Sequence, residues 1–428
     1  MRIFACMSIF LLYFPASAAN KNIVIEDIKF SINTTTKVAQ VKGRAVEATK
    51  KWKLILPSVL LTDWGTIKVT SIDKDAFMYD DYLTSVTLSE YTETVGSQAF
   101  FACHNLSSVN LGNKMKIIGY RAFSNTGLKE VSFPSSLQII RDEAFYSTPS
   151  LTRIMFDNNS KNLESIGKSA FSHSILTSVT IPGCIKEIGD KAFMWCDNLE
   201  KVTLLAGNGK TKVGEDAFSN NPNLSTLSLG NPGVESFGDG AFCGCRLEQV
   251  ILPSTVRTVG VGAFWSNNIQ FLKINEGLTT IMDRGFSDQI SKGSNGVALV
   301  DIPSTVTTIG EDAFAFAGSN LQEVICRASV PPTATKQVFD QRTLENTPLS
   351  VQPAVVNSYR VANVWKDFHY IKGIGEPDLS DISENELPVD NSPYRWFDLN
   401  GREINDRPLN PGIYIKVNGS KREKVIIK

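Results

Sequence analysis

The sequence predicts a right-handed solenoid of stacked repeats, with a parallel β-sheet on one face, short turns or helical segments on the other, and a small C-terminal β appendage. Two observations predict this fold. An Ala-Phe dipeptide recurs at intervals of 22 to 28 residues, and a block with the pattern Leu-x-x-Val-x-Leu follows the Phe. One repeat cannot bury its own apolar side, so the copies must stack to form a shared core.

The repeated Phe marks the interior of each coil, and an apolar side chain stands five positions before it in all eleven copies. Gly follows that apolar residue in eight copies, where it allows either a turn with positive φ or a close approach of neighbouring coils. The Phe positions are Phe77, Phe100, Phe123, Phe145, Phe171, Phe193, Phe218, Phe242, Phe264, Phe286 and Phe314.

The Leu-x-x-Val-x-Leu block predicts the strand of each coil. In Leu106, Val109 and Leu111, the last two apolar positions alternate with polar residues, which is typical of a half-buried strand. Pro closes several blocks, as at Pro134 and Pro182, where it ends the strand without removing a hydrogen bond from its interior.

Two copies of the motif, residues 95–100 (Val-Gly-Ser-Gln-Ala-Phe) and residues 188–193 (Ile-Gly-Asp-Lys-Ala-Phe), carry a family resemblance. Together with the strand block they resemble the BspA-like leucine-rich repeats of Bacteroidetes surface proteins, over about residues 52–372. The resemblance implies a leucine-rich-repeat solenoid that is secreted, extracellular or on the outer cell surface. It also implies adhesin-like binding of a protein or glycan ligand on host or bacterial surfaces. The alternative is a structural spacer or assembly component of the cell envelope without its own ligand.

The N-terminal segments have their own signatures. Residues 1–19 combine Arg2, an apolar run and small residues at 16–18, which predicts a secretory signal peptide. Residues 20–50 lack the repeat and predict an N-terminal β cap with strands over 23–32 and 37–46. Residues 51–373 form the predicted solenoid, opening with a strand at 52–57 and closing with a helix and strand over 359–371 as a C-terminal cap.

Two further segments follow the solenoid. Residues 374–393 are acidic, contain no Lys or Arg and predict a linker. Residues 394–428 predict a small β module that resembles the C-terminal sorting domains of Bacteroidetes secreted proteins, which implies outer-membrane export machinery as a partner. A β appendage without an export role is the open alternative.

Composition argues against several function classes. With 43 basic and 44 acidic residues, the chain has no electrostatic footprint for nucleic acid. Beyond the signal segment no stretch is long and apolar enough to predict a transmembrane helix. We expect no enzyme activity, no catalytic residue, no cofactor and no metal site, because the histidines His104 and His173 fall in turns of different coils.

Six cysteines follow residue 19, and we expect free thiols. Cys103, Cys196 and Cys245 lie three residues after the repeat Phe and are interpreted as small buried residues, too far apart to pair. Cys326 takes the place of a strand Leu and should point inward.

Two sets of residues are candidates for ligand contact. Ile251, Phe271, Leu299 and Ile325 occupy outward positions on neighbouring strands, where they form either a binding patch or a surface covered by the C-terminal cap or the appended module. Tyr146, Trp195 and Trp265 follow the repeat Phe and predict a row of aromatic side chains along the turns. That row either stacks on sugars or peptide or pads the turns.

Overall fold

The computed structural model describes residues 20–287, 297–316, 321–334 and 336–375, together with strands at 395–397, 403–404, 412–418 and 421–427. The predicted signal peptide and nearly all of the predicted acidic linker lie outside the described residues. The chain divides into two compact units, Met1–Ile374 and Gly375–Lys428. The domain boundaries given above stay predictions.

The N-terminal cap consists of three strands, β1 (Asn20–Ile25), β2 (Ile28–Asn33) and β3 (Val38–Arg44), paired antiparallel in that order. The prediction of one strand over 23–32 is wrong, because the chain turns back at Glu26 and Asp27. Both residues have positive φ, 47° and 65°, as a two-residue hairpin turn requires. The Glu-Asp pair at these positions differs from the Asn-Gly pair that usually signals such a turn in a sequence.

The first coil begins with β4 (Trp52–Ile55), β5 (Val59–Thr62) and β6 (Gly65–Ile72). Strand β4 confirms the predicted opening strand. Strand β6 pairs antiparallel with β5 and parallel with β3, so the cap sheet continues directly into the solenoid. The cap therefore covers the strand edge that the first coil would otherwise expose.

Each following repeat contributes a longer strand and then a short one. In chain order they are β7 (Leu83–Thr87), β8 (Thr94–Val95), β9 (Ser108–Asn110), β10 (Ile117–Ile118), β11 (Glu130–Phe133), β12 (Ile139–Ile140), β13 (Arg153–Phe156), β14 (Ser165–Ile166), β15 (Ser178–Ile181), β16 (Glu187–Ile188), β17 (Lys201–Leu204), β18 (Thr211–Val213), β19 (Thr226–Leu229), β20 (Val234–Phe237), β21 (Gln249–Ile251), β22 (Thr258–Val259), β23 (Phe271–Lys273), β24 (Thr280–Ile281), β25 (Leu299–Ile302), β26 (Thr308–Ile309) and β27 (Glu323–Cys326).

The two strand types build two parallel sheets. The longer strands confirm the predicted sheet, but the sheet is interrupted. It consists of four groups: β4-β7-β9, β11-β13-β15-β17-β19, β21-β23 and a group that starts with β25-β27. The short, even-numbered strands from β8 to β26 form one uninterrupted parallel series that extends the cap sheet. The apolar residue five positions before each Phe, such as Ile166 between Ile140 and Ile188, lies in this second sheet.

The repeated Phe side chains form a continuous column inside the coils. From Phe77 to Phe314, successive ring centroids are 4.9 to 5.7 Å apart and the rings are within 10° of parallel. Each ring is at most 3% exposed. Offset stacking at this spacing adds favourable ring contact to the burial of apolar area.

The repeat Gly serves close approach of coils, and the alternative of a positive φ is wrong. At Gly119 an added Cβ would lie 2.6 Å from the carbonyl carbon of Gly96 in the preceding coil, while φ stays outside the left-handed region. Gly167 faces the backbone of Arg141 in the same way. A side chain at this position would push neighbouring coils apart.

The C-terminal end of the solenoid is closed by α1 (Gln341–Asn346), β28 (Leu349–Val351), α2 (Val356–Val361) and β29 (Ile371–Gly373). Buried Tyr359 donates its hydroxyl to the Ala328 carbonyl at 2.9 Å, and the indole of Trp365 donates to Pro332 at 2.8 Å. A helix and a strand therefore close the core, as predicted.

The second unit contains β30 (Arg395–Phe397), β31 (Glu403–Ile404), β32 (Gly412–Asn418) and β33 (Lys421–Ile427). They form one antiparallel sheet in the order β31-β30-β32-β33. The small β appendage is thereby confirmed, and its role in sorting stays a prediction.

Candidate binding surfaces

The coils from Phe77 to Phe264 turn around the buried Phe through residues with positive φ, and one of these residues lies two positions after the Phe. At this position, here called the left-handed turn position, φ is between 52° and 67°. Asn and Gly adopt this conformation most readily, and a bulky side chain is costly there. Its occupants are Tyr79, Ala102, Asn125, Ser147, His173, Trp195, Asn220, Gly244 and Ser266.

Large aromatic side chains stand at this position in coils where the backbone disfavours them. Tyr79 is 63% exposed and Trp195 is 45% exposed, so neither gains stability from full burial. The repeat Phe of the same coil, Phe193, is by contrast 0% exposed. Residues that contradict the local backbone preference and yet stay exposed are expected at functional sites.

Tyr146 and Trp195 are joined into one aromatic cluster by His173. The Tyr146 and His173 rings are 5.5 Å apart and nearly perpendicular, and the His173 and Trp195 rings are 4.8 Å apart at 38°. His173 lies in a turn as predicted, but its contact with two aromatic rings was not predicted. Trp265 is 40% exposed and lies three coils beyond Trp195.

His104 makes a separate contact. Its Nδ1 atom lies 2.7 Å from Oδ1 of Asp81, and both side chains are more than half exposed. The adjacent thiol of Cys103 is buried, and burial raises its pKa to about 12. That thiol is therefore protonated and a poor nucleophile at neutral pH.

The outward strand residues differ from one another in accessibility. Ile251 is 41% exposed, and Phe271 and Leu299 are half-buried. Ile325 is only 2% exposed, so its assignment to an accessible patch is wrong. It lies in register with Asp301 and Ser350 on the strands beside it.

Polar side chains of the two neighbouring strands lie beside Ile325. The guanidinium of Arg327 donates two hydrogen bonds of 2.7 Å to Asp301, and Ser350 donates its hydroxyl to Glu323 at 2.7 Å. These side chains flank Ile325 on both sides of its strand. Only Ile251, Phe271 and Leu299 remain as candidates on this face.

A second row of side chains points inward, three positions after the Phe in the coils from Phe100 to Phe264. These residues donate hydrogen bonds to a Phe carbonyl of their own or the preceding coil at 2.7 to 3.3 Å. The row was missed as a hydrogen-bonding feature because the sequence shows mixed small residues there. Its members are Cys103, Thr126, Thr148, Ser174, Cys196, Asn221, Cys245 and Asn267.

All six cysteines of the described chain are free thiols. Cys103, Cys196, Cys245 and Cys326 are buried, in accord with the sequence interpretation. Burial is the main cause that raises the pKa of Cys196 and Cys326 to about 11 and that of Cys245 to about 12.

Two shallow depressions accompany irregularities in the coils. One of about 270 Å³ surrounds Arg141, where the repeat Gly is replaced. The other, about 470 Å³, lies where the strand sheet is interrupted between β9 and β11 and includes Phe133, Met155 and Phe156. Neither depression contains any of the predicted contact residues.

The described ranges give no support to two other kinds of site. Within them, no cluster of three or more His, Cys, Asp or Glu side chains is arranged to hold a metal ion. No helix among the described residues is long and apolar enough to cross a membrane.

Two parallel sheets, a Phe column and repeated coil-to-coil hydrogen bonds define a leucine-rich-repeat solenoid. The sequence profile described as BspA type leucine rich repeat region matches residues 70–200, 164–291, 211–345 and 292–359. These stretches cover more than half of the chain, which therefore belongs to the BspA-type leucine-rich-repeat family.

Solved structures with a similar arrangement come from several bacteria. A leucine-rich repeat protein from Bacteroides ovatus is 18% identical, with 82% of this chain and 99% of that chain covered and a TM-score of 0.42. Pneumococcal vaccine antigen PcpA is 18% identical, with 83% and 99% covered and a TM-score of 0.44. A leucine rich cell surface protein from Faecalibacterium prausnitzii is 19% identical, with 84% and 97% covered and a TM-score of 0.38. No curated protein matches the chain significantly in sequence.

Proposed function

We propose that this protein is a secreted or cell-surface binding protein, adhesin-like and without catalytic activity, that holds a macromolecular ligand through side chains on its rigid coils. The observation that carries the proposal is Trp195, a large aromatic residue that is 45% exposed at a left-handed turn position. Exposed Trp and Tyr side chains on a rigid frame are typical of binding hot spots.

The aromatic cluster of Tyr146, His173 and Trp195 is a better candidate than the strand patch. On the strand face Ile325 is buried and Phe271 and Leu299 are half-buried, which leaves a smaller accessible apolar area. In the cluster, each ring supports its neighbour, so little side-chain freedom is lost when a ligand binds.

Binding to arrays of matrix proteins and glycans tests the proposal. Two variants distinguish the aromatic cluster from the strand face. Trp195→Asn introduces the residue that two other coils have at this position, Asn125 and Asn220. The double variant Phe271→Ser with Leu299→Ser alters the strand face. We expect saturable binding that Trp195→Asn weakens and the strand-face variant leaves nearly unchanged. The reverse pattern would move the site to the strands, and absence of binding to every probe would favour a spacer role in the envelope.

Export to the surface is part of the same proposal and rests on the predicted signal peptide and the resemblance of the C-terminal β module to sorting domains. N-terminal sequencing of the exported protein tests the first, with cleavage expected near residue 19. Deletion of residues 394–428 tests the second: we expect the protein to be lost from the cell surface while its synthesis continues. Unchanged surface display would leave the module as a structural appendage.

A further inference from the structure

The surface between Trp195 and Trp265 is lined by small side chains. Two coils lie between the coils of these tryptophans, and the left-handed turn positions of those two coils hold the short residues Asn220 and Gly244. We call these four residues the tryptophan span. Both tryptophans are exposed, at 45% and 40%, so two indole rings flank a stretch of small side chains.

Backbone hydrogen bonds place the four residues on consecutive coils. The N–H of Trp195 donates to Ser219, that of Asn220 to Cys243 and that of Gly244 to Trp265, at 2.8 to 3.2 Å. The Phe rings inside the same coils are 5.0, 4.9 and 5.6 Å apart, so the coils that carry Trp195 and Trp265 are stacked about 15 Å apart. A ligand that contacts both must therefore be extended over several coils.

Asn220 and Gly244 leave the surface between the tryptophans without a large side chain. A Cβ added at Gly244 would come within 3.2 Å of Oδ1 of Asn220, so the Asn220 amide lies against the glycine backbone. Its Nδ2 atom donates to the Ser219 hydroxyl at 3.1 Å. The Ser219 hydroxyl is itself buried, so the surface between the tryptophans offers the Asn220 amide, which can donate and accept hydrogen bonds.

The side chains of the span are themselves uncharged. The residues one and two positions after the Phe in these four coils are Met, Trp, Ser, Asn, Cys, Gly, Trp and Ser, all uncharged at neutral pH. Around the span, Asp197 and Arg246 are exposed and have opposite signs, and burial together with the nearby Asp216 carboxylate raises the pKa of the Cys243 thiol. With both signs of charge around it, the span has no strong field of one sign to hold a charged polymer.

The backbone N–H groups of the span already have hydrogen-bond partners. Because the N–H groups of Trp195, Asn220 and Gly244 are bonded to the next coil, no free strand edge is present to pair with an extended peptide. Recognition must come from side chains: two apolar ring surfaces, two indole N–H donors and an amide. That set matches a neutral pyranose chain, whose sugar rings have apolar C–H faces and whose edges carry hydroxyl groups.

We propose that the tryptophan span binds a neutral oligosaccharide lengthwise, with sugar rings against Trp195 and Trp265 and hydroxyl groups at Asn220. This inference rests on the proposed binding function and names the ligand class for the C-terminal side of the aromatic cluster.

Calorimetric titration of the purified protein with neutral hexasaccharides tests it, using fragments of β-1,4-glucan, β-1,3-glucan, xylan, mannan and chitin. We expect at least one to bind, and the corresponding disaccharide to bind more weakly because it cannot reach both tryptophans. Trp195→Asn and Trp265→Ser should each weaken binding about tenfold. Asn220→Trp should block binding because its indole would fill the space between the two tryptophans. Trp195 shows that a tryptophan fits this repeat position.

The matched control is Tyr79→Asn, which removes an exposed aromatic side chain from the same repeat position in a distant coil and should change the affinity less than about twofold. Circular dichroism of every variant checks folding. If no neutral saccharide binds at millimolar concentration, or if binding survives both tryptophan variants, the proposal fails. Binding only to heparin, weakened by salt, would also overturn it. A matrix protein that binds the wild type and is lost in Trp195→Asn would overturn the glycan assignment while leaving the proposed function intact.

Discussion

The side chain of Asn221 connects two neighbouring coils through the carbonyl group of Phe193. Its Nδ2 atom lies 3.0 Å from that oxygen and 2.7 Å from the carbonyl oxygen of Phe218 in its own coil. Its Oδ1 atom accepts from the N–H of Cys196 at 2.7 Å. The side chain is fully buried, so these partners have no access to water. Asn221 therefore satisfies three backbone groups at once.

Replacement Asn221→Ala should destabilise the solenoid strongly. Loss of the amide leaves buried donors and acceptors without partners, at a cost of about 2 to 4 kcal/mol in the free energy of unfolding. Urea unfolding measures the change. The matched control is Asn223→Ala, because exposed Asn223 makes one hydrogen bond, to Asp197, and we expect a change below about 0.5 kcal/mol. Equal effects of the two variants would contradict this role for Asn221.

Thiol reactivity should divide the six cysteines into two groups. Cys103, Cys196, Cys245 and Cys326 are buried, whereas Cys184 and Cys243 are half-buried. Alkylation of the native protein at pH 8, followed by mass spectrometry, should modify at most Cys184 and Cys243 within the time that labels all six in denaturant. Rapid labelling of Cys196 in the native protein would show that the coils open there.

Stability should fall in alkaline solution because of the buried thiols. Their folded pKa values are raised from 9.0 to about 11 or 12, so the unfolded chain releases these protons first as pH rises. The thiols therefore stabilise the fold fully below pH of about 9, and this contribution is lost as pH rises toward 12. The triple variant Cys103→Ser, Cys196→Ser, Cys245→Ser should flatten the decline, because Ser174 shows that a hydroxyl fits this row. Melting temperatures between pH 7 and 10.5 measure the difference. An identical decline in both proteins would assign it to other groups.

The core of the fold was predictable because its residues recur at fixed distances. Phe193 and Ile188 stand in the same relation as in every other coil, and both are fully buried. The second sheet was not predicted, because strands of two residues, such as Glu187–Ile188, are too short to show an alternating pattern. Their pairing depends on contact between coils, which a single repeat does not reveal.

The binding surfaces were predicted only in part, for the same reason. Trp195 and Tyr146 were recognised from their residue type, but their connection through His173 depends on where the left-handed turn directs each ring. Ile325 looked accessible from its place in the strand pattern, whereas it is 2% exposed in a strand that has paired neighbours on both sides.

Burial of Ile325 can be measured against Ile251, which is also an outward Ile at the same strand position three coils earlier. Ile325→Ser should cost about 2 to 4 kcal/mol, because it removes a buried apolar side chain and adds a hydroxyl. Ile251→Ser should cost less than about 1 kcal/mol, since that side chain is 41% exposed. Urea unfolding of both variants distinguishes them. Similar small effects would return Ile325 to the accessible patch.

The tight approach of coils at the repeat Gly gives a further test. Gly119→Ala places a methyl group 2.6 Å from the carbonyl carbon of Gly96, so the two coils must separate locally and lose hydrogen-bond geometry in the continuous sheet. We expect a loss of about 1 to 3 kcal/mol in the free energy of unfolding, the range for overpacking. The matched control is Arg141→Ala, which makes the same final residue at an equivalent position where the coils already accommodate a Cβ. That variant should be nearly neutral. If Gly119→Ala proved equally neutral, the glycine would reflect something other than coil spacing.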